Sequence, residues 1–143
     1  MMNMTKNIAW VLLAGLVLAS PVAVRAADDT ELAKQMEVMK DAQKDLRKSL
    51  KDAAAKDASL ESLTKFQQAT VVSKGLVPVK AAKLPDAEKS KVIAAYRKEM
   101  SVLLAHLVQI ENAVLDGDNA KAEELFKGLK KLEDDGHEKF SDE

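Results

Sequence analysis

Four apolar stripes, each repeating at steps of three and four residues and separated by glycine, proline or short polar joints, limit this chain to helices. The first stripe runs through Leu32, Met36, Met39, Gln43, Leu46 and Leu50. It follows Asp28-Asp29-Thr30, which offers an N-cap and early acids. The second starts near Asp57 or Ser59, passes Leu60, Leu63, Phe66 and Thr70, and stops at Gly75 as a C′ residue. A loop with Pro78 and Pro85 follows, and Pro85-Asp86 opens the third helix. Its stripe is Val92, Tyr96, Met100, Leu103, Leu107, Ile110 and Val114. Asp116-Gly117-Asp118-Asn119 is a tight joint in which Asp118 or Asn119 caps the fourth helix. That helix carries Ala122, Leu125, Leu129 and Leu132 as far as Gly136, with His137-Glu138-Lys139-Phe140 beyond. Four amphipathic helices with mostly short joints predict an all-α, antiparallel up-down-up-down four-helix bundle. No internal repeat and no linker to a second domain interrupts it.

The first 26 residues stand apart. Lys6 precedes the apolar run Ile8–Ala19, Pro21 breaks that run, and Val24 and Ala26 occupy the two positions that a signal peptidase reads. The run is shorter than the roughly 20 residues needed to span a bilayer. Residues 1–26 are therefore expected to be a cleaved signal peptide, with 27–143 as one exported domain and no membrane attachment after cleavage. Cleavage removes Lys6, Arg25 and the single tryptophan, Trp10, and leaves 20 cations against 23 acids. A net charge of −3 argues against nucleic acid or an anionic membrane as partner. The absence of cysteine rules out disulfides, thiolate metal sites and thioether-linked haem.

Catalytic motifs are absent. The chain has no Gly-rich phosphate loop, no His-Glu-x-x-His pair and no Gly-x-Ser-x-Gly elbow, and no enzyme is expected. Two histidines remain. His106 lies at the edge of the third apolar stripe, and His137 near the chain end shares a face with Phe126 if the last helix continues through Gly136. In an up-down-up-down bundle the start of the first helix and the end of the fourth lie at the same end. Met36 and His137 should meet there, whereas His106 should lie about 30 Å along the third helix from that end. Thioether plus imidazole is an axial pair for a low-spin, electron-transferring haem. Geometry alone leaves open that Met36 is core packing and His137 a terminal surface residue.

At these residues the chain resembles the cytochrome b-562 family of periplasmic four-helix bundles, which hold one non-covalent haem b. The resemblance rests on Ala27-Asp28-Asp29 followed by Leu32-x-x-x-Met36-Glu37, on Gln109-Ile110-Glu111-Asn112-Ala113, on Lys121-Ala122-Glu123, and on the closing His137-Glu138-Lys139-Phe140. It implies a periplasmic b-type cytochrome that carries single electrons, with Met36 and His137 as axial ligands of haem b and Tyr96 and Met100 lining the pocket. Related c-type bundles place Cys-x-x-Cys immediately before the histidine; Glu133-Asp134-Asp135-Gly136 stands there instead. The three acids are expected to favour the ferric state and lower the reduction potential, and Gly136 to end the helix early and weaken haem binding. The implied partners are redox proteins with basic surfaces, met by a monomer. A reading from another class comes from Leu63-Thr64-Lys65-Phe66-Gln67, which is similar to the Leu-Thr-x-x-Gln signature of periplasmic stress adaptors and chaperones.

Overall fold

The computed structural model describes residues 30–141. Residues 1–26, expected to be a signal peptide, lie outside the described residues. Five α-helices follow one another: α1 (Glu31–Ser49), α2 (Lys56–Lys74), α3 (Val79–Ala82), α4 (Asp86–Leu115) and α5 (Asn119–Phe140). The four long ones form the antiparallel bundle, with α1 packed on α2, α2 on α4, and α4 on α5.

Local chemistry sets the helix ends. Thr30 caps α1 by accepting the amide proton of Ala33 at 3.1 Å, and Glu31 in the first turn with Arg47 and Lys48 in the last complements the helix dipole. A 3-10 turn, Ala53–Ala55, bridges α1 to α2, with Asp52 accepting from the Ala54 amide at 2.9 Å. Of the two candidates at the α4–α5 joint, Asp118 is the cap, accepting from the Lys121 amide at 3.0 Å. Gly117 turns the chain there at φ 76°, a conformation that suits glycine. Gly75 ends α2 with φ −82°, so the helix stops in right-handed geometry and not through the left-handed residue that a C′ glycine usually supplies.

The apolar stripes meet in one core. Leu46, Leu63, Leu107, Ile110, Ala122 and Leu129 are essentially inaccessible and hold all four long helices together. The loop between Gly75 and Pro85 contains the single-turn helix α3, whose buried Ala81 packs the turn close to α4 and α5. One expectation about α5 needs correction. The helix does not end at Gly136 but continues to Phe140, because Phe140 is buried and its ring meets Tyr96 edge-on at 5.4 Å. Lys139 adds a 2.8 Å ion pair to Glu99 on α4. Packing of the last turn outweighs the roughly 1 kcal/mol that glycine costs inside a helix.

Candidate functional site

Antiparallel α1 and α5 border each other along a seam that is the least closely packed of the neighbouring pairs. Two side-chain contacts fix its register. The Gln43 amide donates to the Glu133 carboxylate at 3.3 Å, and the Arg47 guanidinium lies over the Phe126 ring at 5.8 Å. Met36 is seven residues before Gln43 and eleven before Arg47, which at about 100° per residue puts all three on one side of α1 within about 20°. His137 is four residues after Glu133 and eleven after Phe126, hence on the α1-facing side of α5 within about 40°.

Counted from Arg47 and Phe126, both residues lie about 16 Å toward the same end of the bundle; counted from Gln43 and Glu133, they differ in height by about 5 Å. Met36 is half buried against the core, and His137 is exposed. The Nδ1 atom of His137 lies 3.3 Å from the hydroxyl of Ser141.

Met39, the other methionine of α1, is turned away from the seam. It is 7% exposed, and its sulfur lies 3.3 Å from the Thr70 hydroxyl on α2. The single hydroxyl proton of Thr70 is shared between that sulfur and the Phe66 carbonyl at 2.8 Å.

Tyr96 and Met100, one turn apart on α4, are both buried. The Tyr96 ring stands edge-on to Phe140, so the two residues are level with the last turn of α5, where His137 sits. The Tyr96 hydroxyl donates to the Ser73 carbonyl at 3.0 Å, and burial pushes its pKa up to about 12. The Ser73 hydroxyl beside it is buried with no partner among the described residues.

His106 is closer to this end than the helix count suggested. Its Nε2 donates to the Leu125 carbonyl at 2.7 Å and abuts Gly128, nine residues or about 14 Å before His137. The difference from 30 Å arises because α4 begins about ten residues before the level at which Tyr96 meets Phe140. His106 lines a shallow groove between α4 and α5 with Val102, Gln109 and Leu132, away from the α1–α5 seam.

The acidic stretch before His137 is less bare than its sequence suggests. Asp134 and Asp135 form ion pairs with Lys130 and Lys131 one turn earlier, at 3.2 and 2.8 Å. The Asp135 carboxyl is held below the usual carboxylate range chiefly by its hydrogen bond from Lys131. Glu133 is the acid that reaches across the seam.

The Leu63–Gln67 stretch serves the bundle. Leu63 and Phe66 are core residues, and the Gln67 amide donates to Glu111 on α4 at 2.8 Å. Sequence reasoning placed Thr70 on the second stripe but missed its contact with Met39, and it missed Ser141 and the Gln43–Glu133 and Arg47–Phe126 contacts. The seam contacts join residues about 80 to 90 positions apart and leave no local signal, but Ser141 stands four residues after His137, a spacing that could have drawn attention to it.

Among the described residues, no group of three or more histidines and carboxylates converges as a metal site, and no helix is long and apolar enough to cross a membrane. The family model described as Cytochrome b562 matches residues 31–141, that is, all four long helices. No curated protein matches the chain.

Proposed function

The chain belongs to the cytochrome b562 family, and on that premise we propose that it is a periplasmic one-electron carrier with haem b held between Met36 and His137. The family consists of b-type cytochromes that bind haem b non-covalently and carry electrons. The carrying observation for the ligand pair is the seam register: Met36 and His137 stand on facing sides of α1 and α5, eleven residues on each helix from the Arg47–Phe126 contact.

The donors suit the group. A thioether and a neutral imidazole are the soft and borderline ligands that hold low-spin haem iron. Leu32, Tyr96, Met100 and Phe140 belong to the same apolar cluster as Met36 and would wall the haem in this reading. Haem, when bound, supplies an iron that changes by one electron without breaking a bond.

The protein's part is to fix two ligands and exclude water from the buried side. Tyr96 and Phe140 do the latter by closing the α4–α5 interface behind the seam. Glu133, whose carboxylate faces the seam, would stabilise positive charge near the site, while Asp134 and Asp135 would contribute less because their lysines offset them. The net charge of the processed chain, −3, supports transient docking on basic redox proteins. Residues 1–26 direct export in this reading and are then removed.

The test is haem titration into wild type and the variants Met36→Ala, Met39→Ala, His106→Ala and His137→Ala, followed by absorption spectra. Wild type should take up one haem, six-coordinate and low-spin when reduced. Met36→Ala should turn high-spin, and His137→Ala should lose most affinity. His106→Ala should keep the spectrum. Met39→Ala should also keep it, at a stability cost of about 2–5 kcal/mol for the cavity. Loss of the low-spin spectrum in His106→Ala with retention in His137→Ala would overturn the ligand assignment. A wild type that takes up no haem would overturn the function.

A further inference from the structure

We propose that Ser141 is a positioning residue for His137: its hydroxyl oxygen accepts the Nδ1 proton and leaves the Nε2 lone pair as the one available to an iron. The proposal rests on His137 being an axial ligand. Ser141 is the C-cap of α5, with extended backbone at φ −91° and ψ 161°. Two contacts tie it to the histidine one turn back. Its amide donates to the His137 carbonyl at 3.0 Å, and its Oγ lies 3.3 Å from His137 Nδ1. The first contact fixes where the serine stands, and the second then constrains rotation of the imidazole about its bond to the backbone side.

A neutral imidazole carries one N–H and one lone pair, and the partner of one nitrogen decides the role of the other. A serine hydroxyl could donate to Nδ1 or accept from it. Coordination through Nε2 demands a proton on Nδ1, and the hydroxyl oxygen is the acceptor within reach. Lys139 does not compete, because it is drawn to Glu99 on α4. A ligand histidine whose second nitrogen has a hydrogen-bond acceptor is held in one orientation and is a more basic donor. The acceptor here comes from the residue that ends the helix, so the stop signal of α5 and the orientation of its histidine are the same residue.

The experiment compares wild type, Ser141→Ala and Ser141→Thr. In haem-free, 15N-labelled protein at alkaline pH, where imidazole is neutral, two-bond nitrogen–proton correlations report the His137 tautomer. Wild type and Ser141→Thr should carry the proton on Nδ1, and Ser141→Ala should shift toward Nε2–H. In the haem-loaded protein, Ser141→Ala should lose haem to excess apomyoglobin about three- to tenfold faster than wild type, with a higher midpoint potential because the imidazole becomes a weaker donor. Ser141→Thr should restore both. A His137 that is Nε2–H in wild type and unaffected by Ser141→Ala refutes the proposal, as do equal haem-loss rates and potentials. If wild type binds haem and Ser141→Ala is indistinguishable from it, only this proposal falls; if wild type binds none, the cytochrome function falls with it.

Discussion

Two glycines on α5 offer the same substitution in opposite surroundings. Gly136 lies inside the helix one residue before His137, and a Cβ built there meets nothing within 4 Å. Gly136→Ala therefore gains helix propensity at no steric cost, about 1 kcal/mol. With an unfolding entropy of about 2.1 cal/mol/K per residue over roughly 110 folded residues, that gain raises Tm by about 4 °C. A Cβ at Gly128 would instead stand 3.1 Å from Nε2 and 3.2 Å from Cε1 of His106. The ring cannot retreat freely, because its Nε2 is bonded to the Leu125 carbonyl at 2.7 Å. Moving it sacrifices a hydrogen bond of about 0.5–1.5 kcal/mol, enough to cancel the propensity gain. Gly128→Ala should thus shift Tm by less than about 2 °C in either direction. Removing the ring removes the conflict, so His106→Ala and Gly128→Ala combined should be more stable than the sum of the single effects by about 1 kcal/mol. Thermal and urea unfolding of the haem-free protein measure all four variants. If Gly128→Ala stabilises as much as Gly136→Ala and the double variant is additive, His106 does not seat against Gly128 and its bond to Leu125 does not form.

Two further outcomes follow from single residues. Burial pushes the Tyr96 pKa from 10.0 to about 12, and a group that holds its proton more tightly when folded stabilises the fold below its unfolded pKa and loses that stability as pH rises through the folded value. Unfolding free energy should fall between pH 10 and 12 by roughly 2–3 kcal/mol, and Tyr96→Phe should remove that component; an identical alkaline profile in the variant would show that the hydroxyl is not buried against Ser73. The intact mass of the exported protein should correspond to a chain starting at Ala27 or one residue to either side, and a mature species that retains Trp10 would refute cleavage.

Much of the fold is legible in local spacing because each long helix carries its own period. Leu32 to Leu50, Leu60 to Thr70, Val92 to Val114 and Ala122 to Leu132 mark the inward faces without any knowledge of partners. Thr30 and Asp118 could be read as caps for the same reason: a cap acts within three residues. What failed was the judgement of ends and overhangs. Gly136 looks like a terminator because its intrinsic cost is local, whereas the compensating contacts, Phe140 with Tyr96 and Lys139 with Glu99, come from α4 about 40 positions away. The single turn α3 has too few residues for a period to emerge.

The candidate site divides along the same line. Met36 and His137 could be named from residue type, stripe position and resemblance, and so could Tyr96 and Met100. Which methionine of α1 faces α5 was a different kind of question. Met36 and Met39 are one short step apart on one stripe, and the sequence gives both to the core. Nearness to the bundle end and the Leu32-x-x-x-Met36-Glu37 match favour Met36 on sequence, and the partners of the flanks supply the physical reason: Gln43 and Arg47 carry the Met36 side of α1 against α5, while Thr70 takes the Met39 sulfur toward α2. A rotation of about 60° between neighbouring positions of one stripe thus decides which thioether borders the seam and which one fills the core. The charge on α5 obeys the same logic. Glu133, Asp134 and Asp135 read as one acidic block, yet lysines one turn back take up Asp134 and Asp135, and Glu133 alone spends its carboxylate on the opposing helix. The block therefore acts at the seam mainly through the single carboxylate that also sets its register.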